Sequence, residues 1–301
     1  MPEKEIKLPE HEFRLLSDLI RNYCGISFDE SSKFLLEKRL ARRLEQRHLD
    51  NFRDYYRLLL YDRDRAEELT AVLDLITVNE TYFFREQSQL QAFSEEIIPE
   101  VLASGPSGRK FRIWSAGCSS GEEPYTLAML LLEKGIPANG LEVEIIASDI
   151  NQRVLAAARR GVYRKNSFRT TQEYYIKKYF EREDENTLRI KDEVKRNVTF
   201  SCINLLDSGK TGLVGKVDVI FCRNVLIYFS QDARKAVVGG FFERLSDKGF
   251  LLLGHAESLM SITSSFSLRH LKHDMVYQKP HKSATGYEAG AMPGFLRERT
   301  K

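Results

Sequence analysis

Apolar residues in the first quarter of the chain recur with the spacing of helices that bury one face. The stripes of the first two predicted helices are Phe13, Leu16, Leu19 and Ile20, then Leu36, Leu40 and Leu44. Two further helices are predicted near 51–60 and 63–76. The pattern therefore predicts an all-helical N-terminal domain over residues 1–78.

From residue 111 the pattern changes to short apolar runs that alternate with helical segments. We predict strands near 111–116, 143–148, 198–202, 217–222 and 250–254, and helices near 123–134, 151–160 and 231–245. Two short runs near 267–271 and 275–278 predict a terminal antiparallel pair. This alternation is typical of a mainly parallel sheet with helices on both faces. It predicts an α/β domain over residues 111–280.

Three segments do not fit either pattern. Residues 79–110 are predicted to link the helical domain to the sheet domain. Residues 162–197 hold a cluster of tyrosines and charges, and they predict a small inserted subdomain, part helix and part antiparallel strands. Residues 281–301 are rich in Gly, Ala and Ser, which predicts a disordered tail.

Composition narrows the class of protein. The 301 residues, 42% hydrophobic and 30% charged, suit a globular protein of two modest domains. No apolar run reaches the roughly 20 residues needed to cross a bilayer, and the first residues lack a signal core. We therefore expect a cytoplasmic protein without direct membrane insertion. The four cysteines form no CxxC pair and the histidines show no ligand spacing, so we expect no metal.

Charge is distributed unevenly, although the net charge is only +3. On and beside the second predicted helix, six cations face two anions, which leaves +4. A charged helix face is usually only solvated, but the one-sided sign favours an anionic partner, either nucleic acid or an acidic protein helix. The candidate docking residues are Lys38, Arg39, Arg42, Arg43 and Arg47.

A turn of small residues after the first predicted strand carries the clearest chemical signal. It has the spacing Ser115-x-Gly117-x-Ser119-x-Gly121, and the next strand ends in Asp149. Small residues let the backbone approach an adenosine cofactor, and the acid accepts its ribose hydroxyls. The spacing is that of the loop in S-adenosyl-L-methionine (SAM) methyltransferases. The alternative role for Asp149 is to cap the following helix.

Five motifs occur in one order along the chain. They are Asn79–Arg85, Gly121–Tyr125, Asp149, Ile203–Leu206 and Phe221–Phe229. Together they resemble the chemotaxis receptor methyltransferases (CheR-type) from about Leu8 to about Pro280. The resemblance implies a Rossmann-like SAM methyltransferase sheet with an N-terminal helical domain and an inserted β-subdomain. It implies SAM as cofactor and S-adenosyl-L-homocysteine as product, and we expect a monomer.

The resemblance also implies roles for single residues. It assigns cofactor contacts to Asn79, Thr81, Arg85, Gly117, Glu123, Asp149, Asn204, Leu205, Arg223 and Asn224. Within the Glu122–Glu123 pair, chiefly Glu123 is expected near the amino group of the cofactor. Tyr228 is expected to face the substrate, and Arg85 to orient an incoming carboxylate, which a guanidinium matches bidentately. Taken without the resemblance, these residues have plainer readings as helix caps, first-turn charges or turn residues.

The expected reaction is methyl ester formation on glutamates of chemoreceptor cytoplasmic helices. A glutamate is ionised at neutral pH and needs no general base, so catalysis would come from positioning. Family members that grip a receptor pentapeptide carry a longer, glycine-containing loop where this chain has the short segment 181–187; we therefore predict no tether. The alternatives are a nucleic-acid or small-molecule methyltransferase, and a SAM-binding regulatory module without turnover.

Overall fold

The computed structural model describes residues 6–104, 110–136, 141–283 and 286–287. Four helices that pack around one apolar core form its N-terminal part: α1 (Glu10–Cys24), α2 (Lys33–Gln46), α3 (Phe52–Tyr61) and α4 (Arg65–Ile76). The predicted stripe residues are buried in this core, except Leu19, which is half-buried. Helix α1 ends at Gly25, whose φ of 81° is the left-handed conformation that stops a helix. The predicted helical architecture is confirmed.

A long, irregular helical segment follows the linker. It consists of α5 (Gln87–Ala92), a π-helical turn over Phe93–Ile97, and α6 (Ile98–Ser104). Its apolar face packs on the sheet, where the ring of Phe93 meets that of Phe221 edge-on at 5.2 Å. Residues 103–109, whose Gly, Pro and Ser content predicts a turn, lie mostly outside the described residues, which omit 105–109.

Strands and helices alternate through the rest of the chain. The strands are β1 (Phe111–Ala116), β2 (Val143–Asp149), β3 (Val162–Arg164), β4 (Phe180–Arg182), β5 (Thr187–Ile190), β6 (Val198–Cys202), β7 (Val217–Cys222), β8 (Leu245–Leu253), β9 (Ser267–His270) and β10 (Met275–Gln278). The helices are α7 (Glu122–Glu133), α8 (Gln152–Arg160), α9 (Glu173–Tyr179), α10 (Asp192–Lys195), α11 (Ser208–Gly212) and α12 (Gln231–Arg244). Short 3₁₀ turns lie at Glu30–Ser32, Lys165–Phe168 and Leu226–Tyr228.

Within the described residues the main sheet has seven strands in the order β6-β2-β1-β7-β8-β10-β9. The first five are parallel to one another, and the last two pair antiparallel. Successive β1 residues alternate between two apolar layers: Ile113 packs with the α5–α7 side and Trp114 with the α12 side. Burial on both faces explains the continuous apolar runs in the sequence. The mainly parallel sheet with a terminal antiparallel pair is as predicted.

Strand β8 begins five residues before the predicted start. Its first residue, Leu245, pairs with Val217, and a register shift follows before Phe250 pairs with Val219. The added residues, Leu-Ser-Asp-Lys-Gly, resemble a turn in composition. Hydrogen bonds between Lys248 and Lys279 and between Lys279 and Gly249 join them to the residue that follows β10. Lys248 has a φ of 63°, so the turn preference of the segment survives as a bulge within the strand.

Strands β3, β5 and β4 form a separate antiparallel sheet in that order, within the predicted insertion. This inserted subdomain packs directly on the linker through Phe83. The Phe83 ring lies 4.8 Å from Tyr163, 5.3 Å from Phe168 and 5.1 Å from Phe180. The subdomain therefore anchors the segment that precedes the main sheet.

Two short strands, β11 (Lys282–Ser283) and β12 (Gly286–Tyr287), pair with each other near the end of the chain. They fall within the predicted disordered tail, so that prediction is wrong for these four residues. The rest of the predicted tail, residues 284–285 and 288–301, lies outside the described residues.

Candidate active site

A cavity of about 260 Å³ lies at the carboxyl edge of the parallel strands, where the helical domain covers the sheet. Ligands bind at this edge in doubly wound sheets. Residues such as Cys24, Phe28 and Ile76 of the helical domain line one wall. The other walls contain all of the predicted cofactor and substrate residues, namely Asn79, Thr81, Arg85, Gly117, Glu123, Asp149, Asn204, Leu205, Arg223, Asn224 and Tyr228. The structure brings the predicted set together; their individual roles stay predictions.

The turn between β1 and α7 requires glycine at its first position. Gly117 has a φ of 84°, and a Cβ there would lie 2.4 Å from Cγ2 of Val225. The amides of Gly117 and Cys118 both donate to the carbonyl of Ser148, at 2.7 and 2.9 Å. These hydrogen bonds join the turn to the end of β2. At Gly117 the backbone itself lines the cavity, because glycine has no side chain.

Asp149 is held at the end of β2 by two backbone amides. Its Oδ2 accepts from the Ser119 N–H at 2.8 Å and its Oδ1 from the Asn151 N–H at 2.9 Å. The cap of α8 is instead Asn151, whose side chain accepts from the Val154 N–H at 3.0 Å. Removal from water raises the pKa of Asp149, and the amides only partly offset this. The capping alternative for Asp149 is therefore excluded.

The two glutamates that open α7 point in different directions. Glu123 faces the cavity, where its Oε1 accepts from the Ser115 hydroxyl at 2.6 Å and its Oε2 from Nε of Arg223 at 2.7 Å. Glu122 is buried on the side of the inserted subdomain and accepts from the hydroxyls of Ser120 and Ser167. Of this pair, only Glu123 lines the cavity within the described residues.

Arg223 is part of the scaffold below the cavity. Its side chain is 3% exposed, lies 2.7 Å from the Glu123 carboxylate and 3.6 Å from that of Glu86, and donates to the carbonyl of Arg85 at 2.8 Å. Its Nε and Nη1 are therefore both engaged with acceptors from other elements. Arg223 fixes the linker and the start of α7 relative to the end of β7.

Asn224 follows Arg223 in a conformation unusual for a residue other than glycine. Its φ is 59°, which asparagine tolerates better than most residues. Its Oδ1 is buried, and no described residue donates a hydrogen bond to it. Buried acceptors are rarely left unpaired. Asn224 also lines the cavity, and a role for this oxygen toward a ligand stays a prediction.

The linker reaches the cavity mouth through Arg85. In the described part of the chain, the one hydrogen bond of its guanidinium is donated to the carbonyl of Glu80 at 3.0 Å. The group also lies 5.6 Å from the Tyr82 ring, on which Arg169 stacks at 3.7 Å. Desolvation raises the pKa of Tyr228, while the nearby charge of Arg85 lowers it. Arg85 and Tyr228 both line the cavity.

Asn204 joins the sheet domain to the helical domain. Its amide donates to the carbonyl of Tyr23 at 2.6 Å, and its Oδ1 accepts from the Leu206 N–H at 3.1 Å. Both polar ends of the side chain are thus already engaged. Its neighbour Leu205 provides an apolar wall of the cavity.

The structure corrects the prediction of a single basic docking face on α2. Arg39 lines the cavity and donates to the carbonyl of Ile76 at 2.6 Å. Arg43 and Arg47 both bind the buried carboxylate of Glu68, each at 2.6 Å. Lys38 and Arg42 remain exposed. The charge count on one helix overlooked Glu68 because that residue lies on α4.

Family comparisons cover nearly all of this architecture. A family model described as "CheR methyltransferase, all-alpha domain" matches residues 11–77, and one described as "CheR methyltransferase, SAM binding domain" matches residues 79–275. The chain belongs to the CheR methyltransferase family. The resemblance seen in the sequence motifs is confirmed, and SAM is the cofactor that this family's sheet domain binds.

Curated CheR relatives align along most of their length. Chemotaxis protein methyltransferase 2 of Vibrio cholerae is 38% identical over 92% of this chain and 96% of its own length. Chemotaxis protein methyltransferase of Vibrio parahaemolyticus is 36% identical, with 91% and 98% covered. That of Borreliella burgdorferi is 35% identical, with 84% and 90% covered. The protein is accordingly a SAM-dependent methyltransferase.

The polar groups of this CheR cavity fit SAM by their chemistry. Asp149 offers a carboxylate to ribose hydroxyls, and the carboxylate of Glu123 suits an ammonium group. Ile150 and Leu205 supply apolar walls for a purine ring. The described residues contain no group of three or more His, Cys, Asp or Glu placed to hold a metal ion. Among them there is also no helix that combines the length and apolar character of a membrane span.

Sequence reasoning about this CheR chain missed two kinds of residue. The helical-domain wall (Cys24, Ile26 and Phe28 among others) has no local signal, because it meets the cavity only through tertiary packing. Glu257 was also missed; it lies outside the cavity but holds the loop that contains Asn224. Ser119, by contrast, belongs to the small-residue spacing and could have been found from it.

Proposed function

We propose that this protein transfers the methyl group of SAM to glutamate side chains on the cytoplasmic helices of chemoreceptors. The products are a glutamyl methyl ester and S-adenosyl-L-homocysteine. The names of the curated relatives, chemotaxis protein methyltransferases, support this class of substrate. The proposal places the enzyme in the cytoplasm as a monomer that binds neither nucleic acid nor membrane.

The observation that carries the proposal is that Arg85 and Tyr228 both line the SAM cavity. The Arg85 guanidinium keeps donors beyond the one that it gives to the Glu80 carbonyl. A guanidinium matches a carboxylate in two parallel hydrogen bonds. Arg85 would therefore orient the acceptor carboxylate toward the bound cofactor, with Tyr228 beside it as a half-buried wall.

The chemistry needs little else from the chain. Bound SAM supplies an electrophilic methyl group next to a sulfonium centre. An oxygen of the acceptor carboxylate forms a bond to the methyl carbon as the carbon–sulfur bond breaks, and the electron pair stays on sulfur. The carboxylate is already ionised at neutral pH, so no proton is transferred. The role of the protein is to hold the two reactants in line.

The docking surface that we propose is the exposed stripe of α2 formed by Phe34, Lys38 and Arg42. These positions are spaced by four residues and share one helix face. Phe34 is 70% exposed, and its neighbour Leu35 lines the cavity, so the stripe starts at the cavity mouth. An apolar contact followed by two cations suits an amphipathic acidic helix.

Charge reversal tests this surface. Lys38→Glu with Arg42→Glu should lower receptor methylation about tenfold or more, because two attractive contacts become repulsive. SAM affinity, measured by calorimetry, should not change. The matched control is Arg53→Glu with Arg63→Glu, which makes the same charge change at exposed positions elsewhere in the helical domain. Arg43 is unsuitable for this test since its reversal would break the Glu68 pair. Equal losses in both double variants would remove the stripe from the docking proposal.

Methyl-labelled SAM and receptor-enriched membranes test the reaction itself. Label that mild alkali releases as methanol identifies a carboxyl ester and supports the proposal. Alkali-stable label would mean N- or C-methylation, and the glutamate mechanism would be wrong. Tight SAM binding without transfer to any cognate receptor would favour the regulatory-module alternative.

A tether-independent encounter with the receptor is part of the proposal. The β4–β5 turn spans only residues 183–186 and is closed by Asp184, whose Oδ1 accepts from the amides of Asn186 and Thr187 at 2.7 and 2.8 Å. A turn this short offers little extra edge for peptide addition. Deleting the last five residues of the cognate receptor should therefore leave the methylation rate unchanged, and a clear drop would contradict this point.

A further inference from the structure

Glu257 binds the backbone of the loop that carries Asn224 and Tyr228. The residue lies after β8 and is half-buried. Its Oε2 accepts from the amides of Asn224 at 2.8 Å and Gly254 at 2.7 Å. Its Oε1 accepts from the amides of Val225 at 3.0 Å and Ile227 at 3.2 Å. Each carboxylate oxygen thus holds two N–H groups.

The loop needs this support because its conformation is not one that the chain adopts by itself. Asn224 has a φ of 59°, and the successive amides of residues 224, 225 and 227 all point to the same side. Such an array of converging N–H groups binds an anion. Here the anion is a side chain of the same protein.

Close packing on the other side leaves the loop little freedom. A Cβ on Gly254 would lie 2.7 Å from Nδ2 and 2.8 Å from the backbone N of Asn224, so only glycine fits there. Val225, in the same loop, packs against Gly117 of the turn between β1 and α7, since a Cβ on Gly117 would lie 2.4 Å from Cγ2 of Val225. A shift of the loop would therefore move both the Asn224 oxygen and the floor of the cavity.

The carboxylate of Glu257 is partly buried and has no cation paired with it in the described structure, which disfavours its ionised form. Desolvation raises its pKa, and the backbone amides only partly compensate. Among the described residues no Lys or Arg forms an ion pair with it. A group that costs stability and still accepts four hydrogen bonds is typical of a residue retained for positioning.

We infer that Glu257 is a positioning residue for methyl transfer: it fixes the 224–228 loop so that Asn224 meets the cofactor and Tyr228 meets the acceptor. Glu257 does not line the cavity, so it acts through the loop and touches neither reactant. The inference rests on the proposed function only for the identity of the acceptor.

Glu257→Gln tests the inference with almost no change in size. Whichever way the amide is oriented, its NH₂ group faces two N–H donors, so one pair of hydrogen bonds is lost. We expect kcat to fall about 100-fold, the loss that a misplacement of about 1 Å produces, and the Kd for SAM to rise about tenfold. Amide hydrogen exchange of residues 224, 225, 227 and 254 should accelerate, while exchange elsewhere in β7 and β8 stays unchanged.

Two controls separate positioning from general stability. Glu243→Gln changes an exposed glutamate on α12 and should leave every readout unchanged. Val238→Ala truncates a buried α12 residue and lowers the unfolding temperature without touching the loop. If Glu257→Gln lowers kcat no more than Val238→Ala, or if loop exchange is unaffected, the inference is wrong. SAM affinity and amide exchange need no methyl acceptor, so these results remain informative even if the receptor proposal fails.

Discussion

The helical domain and the surroundings of the SAM cavity both contain carboxylates that are removed from water, but the groups that donate hydrogen bonds to these carboxylates differ. Glu68 in the helical domain is fully buried and accepts from Arg43, Arg47 and the Tyr55 hydroxyl. Asp149, Glu122 and Glu257 around the cavity accept only from backbone amides or serine hydroxyls in the described structure. The first arrangement neutralises the charge, whereas the second leaves it uncompensated.

The pKa directions follow from this difference. Desolvation opposes ionisation of Glu68, but hydrogen bonds from Arg43, Tyr55 and Arg47 outweigh it and lower its pKa to about 2. Desolvation dominates at the cavity and raises the pKa of Asp149, Glu122 and Glu257. Uncompensated charge reduces stability, and it is concentrated where functional groups are needed.

The sharpest test of the comparison is to remove the carboxylate that faces the ribose. Asp149→Ala should weaken SAM binding by about 4 kcal/mol, roughly a thousandfold, because two hydrogen bonds to a charged acceptor are lost. Titration calorimetry measures the change. Asp232→Asn, an exposed change in the first turn of α12, is the control. An affinity within a few-fold of the parent would show that Asp149 is not the ribose acceptor.

Removal of the neutralised carboxylate should damage stability instead of binding. Glu68→Gln leaves two arginines without their anion and should lower the free energy of unfolding by about 3 kcal/mol. Urea unfolding measures it, and Kd for SAM should stay the same. Glu67→Gln, at an exposed neighbouring position on α4, should have almost no effect. A stability loss below about 0.5 kcal/mol would show that Glu68 contributes no more than a surface pair.

The Glu68 contribution should also depend on pH in a defined direction. Its folded pKa, about 2, lies below the ordinary glutamate value of 4.5, so the stabilisation is complete above pH 4.5 and is lost as pH falls toward 2. About half, roughly 1.5–2 kcal/mol, should be gone near pH 3. The measurement is the difference in unfolding free energy between the parent and Glu68→Gln at several pH values. A difference that does not shrink below pH 4.5 contradicts the assignment.

The smallest expected effect is that of Glu122→Gln, which should leave stability unchanged or raise it. The pKa of Glu122 is raised, so its ionised form is penalised in the folded protein, and this penalty appears as pH rises through the folded pKa. Glu122→Gln should therefore be neutral or stabilise the protein by up to about 1 kcal/mol at pH 7.5. Glutamine accepts from one of the Ser120 and Ser167 hydroxyls through its oxygen and donates to the other through its NH₂ group, because a hydroxyl both donates and accepts. Destabilisation by more than 1 kcal/mol would mean that the carboxylate has a stabilising partner after all.

Local sequence predicted strands β1, β2, β6 and β7 where they are observed. β1 and β7 lie inside the sheet and are buried at nearly every position, which explains their apolar runs, whereas the edge strand β6 is only partly buried. The start of β8 was missed because Leu245 pairs with Val217 ahead of a turn-like bulge, and local composition does not report a contact with a distant strand. The prediction of α2 as an unopposed basic face was wrong because its anion, Glu68, is supplied by a different helix.

The sequence by itself determined which side chains are present, their order, and their periodicity. These were enough to predict the helical domain, the sheet, the inserted subdomain and the chemical groups of the SAM site. Tertiary structure alone decided which partner each charge meets and which domain forms the second wall of the cavity. The physical reason is that periodicity reports burial, a local quantity, whereas the neutralisation of Glu68, the exposure of Lys38 and Arg42, and the four amides on Glu257 depend on contacts between residues far apart in the chain.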